Sequence, residues 1–181
     1  MTAPTASGAD DDPPATLLLA DFTADAPGPD WYVQNDNVMG GRSKGGFEIT
    51  AGQLVFTGNT NTNGGGFSSI RTVPFKLDLS AYTRIRLRVK GDGRRYTWQL
   101  QSTGRYRGFQ ISYWADFETV ADEWIWVDLP FTAFRPNIRG FPFDGPPVPT
   151  QDIAEFGLYI YDNLDGPFEL RLDRIAAAGS E

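Results

Sequence analysis

The side chains that most often carry catalysis are missing from this sequence. It contains no Cys and no His, so it has neither a thiol nor an imidazole to act as nucleophile or general base, and it lacks the usual ligands of zinc, iron and copper. Any chemistry would depend on carboxylates, lysines, tyrosines or an oxygen-ligated metal ion. We therefore expect a protein that is not an enzyme and that has no cofactor or resident metal.

Two short clusters of carboxylates and amides are the remaining candidates for such chemistry. Asp36 lies between two Asn residues, and Asp162 and Asp165 flank a third. Oxygen side chains of this kind can bind calcium, but the spacing of an EF-hand loop is absent. A pair of carboxylates could also hydrolyse glycosides, a possibility that only their separation in space decides. Because Asp and Asn favour turns by hydrogen bonding to nearby backbone, we expect turn-forming roles for both clusters.

Three glycine-rich segments stand out, at residues 38–43, 63–67 and 91–93. None has the spacing or the strand-to-helix context of a nucleotide phosphate loop. Residues 91–93 lie between two predicted strands, and glycine tolerates the positive φ angles of tight turns, so this segment predicts a hairpin turn.

Polar and charged side chains beside the first two glycine-rich segments are not expected to pack in a hydrophobic core, and we interpret them as binding groups. The segments flank a predicted strand at residues 53–57, so a hairpin-like return would bring them to one end of the domain. The predicted binding surface comprises Asn35, Asp36, Met39, Arg42, Ser69 and Arg71, with Arg95 and Tyr96 on the same rim. The alternative is that Asp36 and Arg71 pair with each other or with backbone and only hold the loops in place.

Three later strands carry aromatic side chains on the face opposite their aliphatic one. These residues predict an aromatic platform that could stack on sugars or hold a partner's side chains: Trp114, Trp124, Trp126, Tyr159 and Tyr161. The alternative, which we favour because large exposed apolar patches are uncommon on monomers, is that these residues are covered. The cover would be the Pro-rich loop 135–151, through Phe141 and Phe143, or the acidic N-terminal segment.

Charge is distributed unevenly along the chain. The net charge is −7, and residues 1–41 contain seven Asp and no Lys or Arg, which argues against a nucleic-acid partner. Residues 84–107 carry eight bases and one acid, whereas residues 108–128 carry five acids and no base. The basic stretch could bind an anionic partner, but we favour cross-strand pairing with the acidic stretch.

The elements that must position these residues are short strands. Period-2 or short apolar runs recur between turn residues, and they predict nine or ten strands with no long amphipathic helix. The clearest is at residues 84–90, where apolar and basic side chains alternate. The sequence therefore predicts an all-β antiparallel β-sandwich or jelly roll over residues 16–181, preceded by a disordered acidic tail at residues 1–15.

Several motifs, in order, closely resemble the complex I intermediate-associated protein family. They comprise Trp31, residues 35–43 (NDNVMGGRS), 65–71 (GGFSSIR), 91–96 (GDGRRY), Trp124 with 127–131 (VDLPF), 134–136 (FRP), 139–140 (RG), 157–158 (GL) and 166–170 (GPFEL). The resemblance extends over residues 16–176. It implies a galactose-binding-like fold, in agreement with the strand pattern, and a role like that of the family's mitochondrial member, which assists assembly of respiratory NADH dehydrogenase.

The predicted function is accordingly non-catalytic binding, with an assembly intermediate of a larger complex as the protein partner. The alternative is a carbohydrate-binding module that uses the aromatic face, and a third possibility is a hydrolase with two carboxylates. No apolar run is long enough to span a membrane, and the sequence lacks the basic transit segment of the mitochondrial member. We therefore expect a cytoplasmic location, peripheral at most to a membrane complex.

Overall fold

The computed structural model describes residues 16–179 as two antiparallel β-sheets packed face to face. The predicted tail at residues 1–15 lies outside the described residues. The back sheet has the order β3-β4-β13-β6-β9, with β1 paired to β13, and the front sheet has the order β11-β10-β8-β7-β12-β5-β2. The strands are β1 Thr16–Ala20, β2 Trp31–Asn35, β3 Lys44–Thr50, β4 Gln53–Thr60, β5 Ser68–Thr72, β6 Arg84–Lys90, β7 Arg95–Tyr106, β8 Phe109–Glu118, β9 Trp124–Pro130, β10 Arg135–Ile138, β11 Phe141–Pro142, β12 Glu155–Ile160 and β13 Gly166–Ala178.

Alternation along the strands explains the core. In β6 the apolar side chains are fully buried while the basic ones point outward, as the period-2 pattern predicts. In β7 the inward positions are Tyr96, Trp98 and Leu100, each fully buried. Trp98 packs on Phe156 with ring centroids 5.4 Å apart, and on Trp31 at 6.2 Å. Burial of each large apolar side chain contributes roughly 1.5–3 kcal/mol, so this layer is a main source of stability.

Helical structure within residues 16–179 is limited to two short 3-10 turns, at Asp36–Met39 and Phe131–Ala133. Neither approaches the length needed to span a bilayer.

The all-β sandwich predicted from the sequence is confirmed, but residues 16–179 form thirteen strands rather than nine or ten. The pattern missed four of them: β2, β3, β10 and β11. Three of these contain residues that disfavour strands, since β3 includes Gly45 and Gly46, β10 includes Pro136 and β11 includes Pro142. Pairing with a neighbouring strand overrides that weak local preference.

The predicted hairpin turn at residues 91–93 is wrong. Strand β6 belongs to the back sheet and β7 to the front sheet, so this segment crosses between sheets. Gly93 still adopts a positive φ of 86°. Gly91 packs so closely on Thr119 that a Cβ there would overlap it. These glycines allow the chain to pass closely from one sheet to the other, and they do not form a hairpin turn.

Arg94, which follows this crossing, holds one end of the sandwich together. Its guanidinium donates two hydrogen bonds to the Asp162 carboxylate, at 2.9 and 2.6 Å. Four more reach Thr60 Oγ1 and the carbonyl oxygens of Leu164, Gly166 and Pro167, at 2.9–3.1 Å. The crossing is thereby tied to the end of β4 and to the loop between β12 and β13.

Asp162 therefore has a structural role, in line with the turn-forming role expected for its cluster. Burial acts to raise the pKa of Asp162, but hydrogen bonds from Arg94 and from the backbone N–H of Leu164 outweigh it and hold that pKa below its usual range. The neighbouring Asp165 accepts a hydrogen bond from the Thr62 N–H at 2.7 Å. Within residues 16–179, no group of three or more acidic side chains is placed to hold a metal ion.

Replacing Arg94 with Met should lower the free energy of unfolding by about 3–5 kcal/mol, because it leaves a poorly exposed carboxylate and several carbonyls without their donor. Urea denaturation measures this loss. The matched control is Arg171→Met, which breaks an exposed ion pair with Glu169 and should cost about 0–1 kcal/mol. Equal losses for the two variants would contradict the role assigned to Arg94.

Candidate functional site

A cleft of about 660 Å³ crosses the outer face of the front sheet. The strand order places β2 at one edge of this sheet and β11 at the other, and residues from both edges line the cleft. Its floor consists of side chains that point away from the core on the strands between them, including Gln99, Gln101, Ser112, Trp114 and Tyr159. The cleft is therefore the outward counterpart of the core layer on β7, β8 and β12.

Cross-strand pairing arranges the floor in rows. Arg71 of β5 lies opposite Gly157 of β12, which lies opposite Gln99 of β7, which in turn lies opposite Trp114 of β8. The Trp114 indole N–H donates to Gln99 Oε1 at 2.8 Å, and Gln99 Nε2 donates to Gln101 Oε1 at 3.5 Å. Both glutamines are buried. Their amides are thus held in defined orientations beneath the cleft.

The aromatic side chains of the cleft pack mainly on one another. The ring of Tyr159 lies 5.0 Å from that of Trp114 and 6.1 Å from that of Phe67, and Tyr161 also contacts both Trp114 and Phe67. Tyr159 is only 3% exposed. Burial raises its pKa to about 12, with Arg71 acting in the opposite direction. These rings form a packed cluster in which Tyr159 is covered, whereas Tyr161 remains 41% exposed.

Arg71 is the charged group at the centre of this arrangement. Its guanidinium lies 5.2 Å from the centroid of the Tyr159 ring, a cation–π distance. Its Nε is buried and has no hydrogen-bond partner, and within residues 16–179 it forms no ion pair. Burial raises the pKa of the nearby Glu155 carboxyl, while the charge of Arg71 opposes that shift.

Exposed apolar side chains border the cleft at both edges of the sheet. Val38 and Met39, in the 3-10 turn after β2, are 63% and 70% exposed, and Phe141 of β11 is 77% exposed. The predicted cover from loop 135–151 does not close the cleft. Phe143 instead stacks on Tyr106 at 4.9 Å, and Phe141 stands at the rim.

The carboxylate of Asp36 holds the two glycine-rich loops together. Asp36 is fully buried, its Oδ1 accepts a hydrogen bond from the Ser43 N–H at 2.9 Å, and its Oδ2 accepts one from the Gly66 N–H at 2.7 Å. A Cβ on Gly41 or Gly65 would overlap this carboxylate. The glycines of both motifs therefore make room for Asp36, and the holding role anticipated as the alternative applies, with backbone rather than Arg71 as its partner.

The predicted binding surface is only partly assembled by the structure. Pairing of β2 with β5 does bring the two segments together, and of the predicted residues Met39 and Arg71 line the cleft. Asn35 and Ser69 make local bonds: Asn35 Nδ2 donates to the Gly45 carbonyl at 3.1 Å, and Ser69 Oγ donates to the Gln34 carbonyl at 2.5 Å.

Three other predicted residues lie away from the cleft. Arg42 is exposed on the loop before β3, and Arg95 begins β7 opposite Glu118; neither lines the cleft. The binding role of Tyr96 is wrong, because alternation along β7 turns its ring into the core and its hydroxyl donates to Asp92 at 3.0 Å.

The aromatic platform is likewise divided between two surfaces. Trp114, Tyr159 and Tyr161 lie in the cleft, but β9 pairs with β6 in the back sheet, so Trp124 and Trp126 lie on the other side of the molecule. There they are stacked by arginines of β6, at 5.3 Å for Trp124 and 4.8 Å for Trp126. The prediction of one platform is therefore wrong.

The arginines of this back face are also neutralised by carboxylates. Arg86 pairs with Asp128 at 2.6 Å, and Arg88 pairs with Asp173 at 2.9 Å. The predicted pairing of the basic stretch with residues 108–128 holds for Arg86 and Asp128, whereas Arg88 and Arg94 pair with Asp173 and Asp162 outside that stretch.

Sequence reasoning missed the polar floor of the cleft. Gln99, Gln101 and Asn137 are buried and line the cleft, yet none was a candidate. The signal was present in β7, where polar residues alternate with Trp98 and Leu100. Amides at the outward positions of a strand, beside large aromatics, mark a face that solvent does not fully reach.

Comparisons with known proteins bear on this geometry. Residues 20–172 match the family model described as Complex I intermediate-associated protein 30 (CIA30). A curated relative, the mitochondrial Complex I intermediate-associated protein 30 of Drosophila melanogaster, is 27% identical over 186 residues, covering 90% of this chain and 63% of the relative. The chain thus spans less than two thirds of that relative's length. The family resemblance is confirmed, and the predicted cytoplasmic location is wrong because this relative is mitochondrial.

Solved structures with the same fold include carbohydrate-binding modules. A family 11 module of the cellulase Lic26A-Cel5E of Clostridium thermocellum has a TM-score of 0.68 at 16% identity and covers 92% of this chain and 95% of its own. The same type of module in complex with a mixed-linked tetrasaccharide has a TM-score of 0.69, also at 16% identity, with 91% and 96% covered. These likenesses establish the jelly-roll sandwich.

Replacing Asp36 with Ala should cost about 3 kcal/mol of stability, because the N–H groups of Ser43 and Gly66 would stay buried without an acceptor. The exposed neighbour Asn37→Ala is the control, with an effect within about 0.5 kcal/mol. Gly41→Ala should destabilise the wild type but add much less in the Asp36→Ala background, since the clash partner is gone. Fully additive losses in urea denaturation would show that Asp36 does not organise the loops.

Proposed function

The chain belongs to the complex I intermediate-associated protein 30 family, and from that membership we propose that it binds an assembly intermediate of respiratory complex I in the cleft of the front sheet. The relative's name associates that protein with complex I intermediates. This chain spans only 63% of that relative's length. That this chain also binds complex I intermediates is therefore part of the proposal.

The observation that carries the proposal is the composition of the cleft. Apolar side chains at its rim are held out in solvent, including flexible Met39 and the large ring of Phe141, while amides and an arginine form the floor. A central polar set beneath exposed apolar anchors is typical of a protein-binding surface. Methionine in particular adapts to different apolar partners.

Binding without catalysis is the form of activity we propose. The chain has no thiol or imidazole, and no Asp or Glu within residues 16–179 lines the cleft. The two-carboxylate hydrolysis considered for this sequence needs a pair of acids on opposite sides of a bound sugar. The cleft does not offer that pair, and its amides and arginine suit recognition.

A carbohydrate ligand is the second candidate. It is favoured by the hydrogen-bonded Gln99 and Trp114 in the floor, since amides and indoles are groups that can bind sugar hydroxyls and ring faces. Against it, the rings of Trp114 and Tyr159 pack on each other. Affinity electrophoresis in mixed-linked β-glucan decides the matter, since retardation of the wild type would favour the sugar.

The double variant Met39→Asp with Phe141→Asp should abolish assembly function, because charges would replace the apolar anchors on both sides of the cleft. Cells of the source organism that lack this chain would be supplied with each variant, and assembled complex I would be measured on native gels together with NADH dehydrogenase activity. The double variant should remain folded, since both substituted side chains are exposed.

The control is Ile49→Asp, which alters an apolar side chain of the back sheet that is 44% exposed and should restore wild-type complex I. Full rescue by the double cleft variant would place the binding surface elsewhere. Normal complex I in cells without the chain would exclude the assembly role.

A further inference from the structure

We propose that Arg71 binds a carboxylate of the partner, presented by an acidic residue in an extended segment that lies across the cleft. This inference rests on the proposed function, since it specifies the chemistry of the protein segment that the cleft receives. It adds a ligand class and an anchoring residue to that surface.

The charge of the cleft differs from that of the whole chain. Three arginines line it, Arg71, Arg105 and Arg139, and no carboxylate among residues 16–179 does so. The chain as a whole has a net charge of −7. The net negative charge of the chain would therefore repel an acidic ligand, and a local positive site is needed to bind one.

Two buried donors in the cleft have no acceptor. They are the Nε of Arg71 and the Nδ2 of Asn137. Asn137 is 2% exposed, and its Oδ1 already accepts a hydrogen bond from the Gly140 N–H at 3.1 Å, which leaves its N–H₂ group available. Buried donors without partners are costly. A ligand that brings acceptor oxygens, as carboxylates and peptide carbonyls do, would satisfy both.

Arg71 is also held in a position suited to such a ligand. Its side chain packs on the Tyr159 ring and lies opposite Gly157, which has no side chain to block it. On the back sheet, Arg86 and Arg88 are paired with Asp128 and Asp173. Arg71 forms no ion pair within residues 16–179, and the nearby Glu155, which attracts it electrostatically, does not line the cleft. A planar guanidinium in a fixed position binds carboxylates through two parallel hydrogen bonds.

The shape and rim of the cleft favour an extended peptide over an acidic sugar. A seven-stranded sheet is about 29 Å across, and a nine-residue extended segment is about 30 Å long. The apolar residues at the two edges, Met39 and Phe141, match side chains of a peptide and offer nothing to sugar hydroxyls. The acid would occupy the polar floor while apolar neighbours contact the rims.

The test uses a set of fluorescent nine-residue peptides in which one Glu is moved along a background of Leu and Thr, each paired with a counterpart that has Gln instead. Binding to the full chain is measured by fluorescence anisotropy. At one or more positions the Glu peptide should bind roughly tenfold or more tightly than its Gln counterpart. Arg71→Gln should remove this difference, and Arg174→Gln, an exposed arginine of the back sheet, should preserve it.

Equal binding of Glu and Gln peptides at every position would overturn the proposal, as would a preference for Glu that survives in Arg71→Gln with an unchanged thermal unfolding curve. Arg71-dependent binding of oligogalacturonate, with none of the peptides bound, would assign the site to an acidic sugar and also overturn it. A preference for Glu that emerges only after deletion of residues 1–15 would show that the chain's own acidic segment occupies the cleft. That result would overturn the proposal of a partner segment.

Failure of this inference can be separated from failure of the proposed function. If Arg71→Gln restores complex I fully while the Met39 and Phe141 double variant does not, the cleft remains the binding surface and the carboxylate anchor is wrong. If both restore complex I, the cleft itself is wrong.

Discussion

The carboxylate of Asp36 accepts hydrogen bonds from the backbone of two glycine-rich loops, at Ser43 and Gly66, and is fully excluded from solvent. The loop on one side of it carries Met39 to the rim of the cleft, and the loop on the other side leads into β5, which carries Arg71 into the floor. A buried carboxylate satisfied by backbone donors is stable only when the donors are held in place. The rim and the charged floor therefore depend on the same contact.

Arginines on the two outer faces of the sandwich differ in how their charges are paired. On the back sheet, Arg86 and Arg88 are paired with carboxylates and stacked on tryptophans, so charge and ring faces are both satisfied within the chain. On the front sheet, Arg71 is stacked on Tyr159 but keeps an unpaired Nε. The charges of these two back-sheet arginines are paired among the described residues, whereas Arg71 leaves a donor that a ligand can use.

The sequence predicted the sandwich well, because alternation in strands such as β6 reports directly which side faces the core. It also predicted that the two glycine-rich motifs meet, because they flank a predicted strand at residues 53–57, and pairing of β2 with β5 does bring them together. Its predictions of surface residues failed where the face on which a side chain lies depends on the sheet that its strand joins. Trp126 and Trp114 have similar local patterns, yet pairing of β9 with β6 sends Trp126 to the opposite face. Polar residues in glycine-rich loops suggested a binding surface, but the Asp36 carboxylate accepts hydrogen bonds from the backbone of the loops instead.

The proteins that this chain resembles differ in the ligands that their names give. The matching family is named for complex I intermediates, while the fold is shared with carbohydrate-binding modules at 16% identity. Site-specific photo-crosslinking in cells tests the central claim most directly, with a photoreactive phenylalanine analogue placed at position 39, 141, 49 or 126. Our account predicts crosslinks to complex I subunits, identified by mass spectrometry, from positions 39 and 141 and none from 49 or 126. Crosslinks to those subunits from position 126 alone would contradict it.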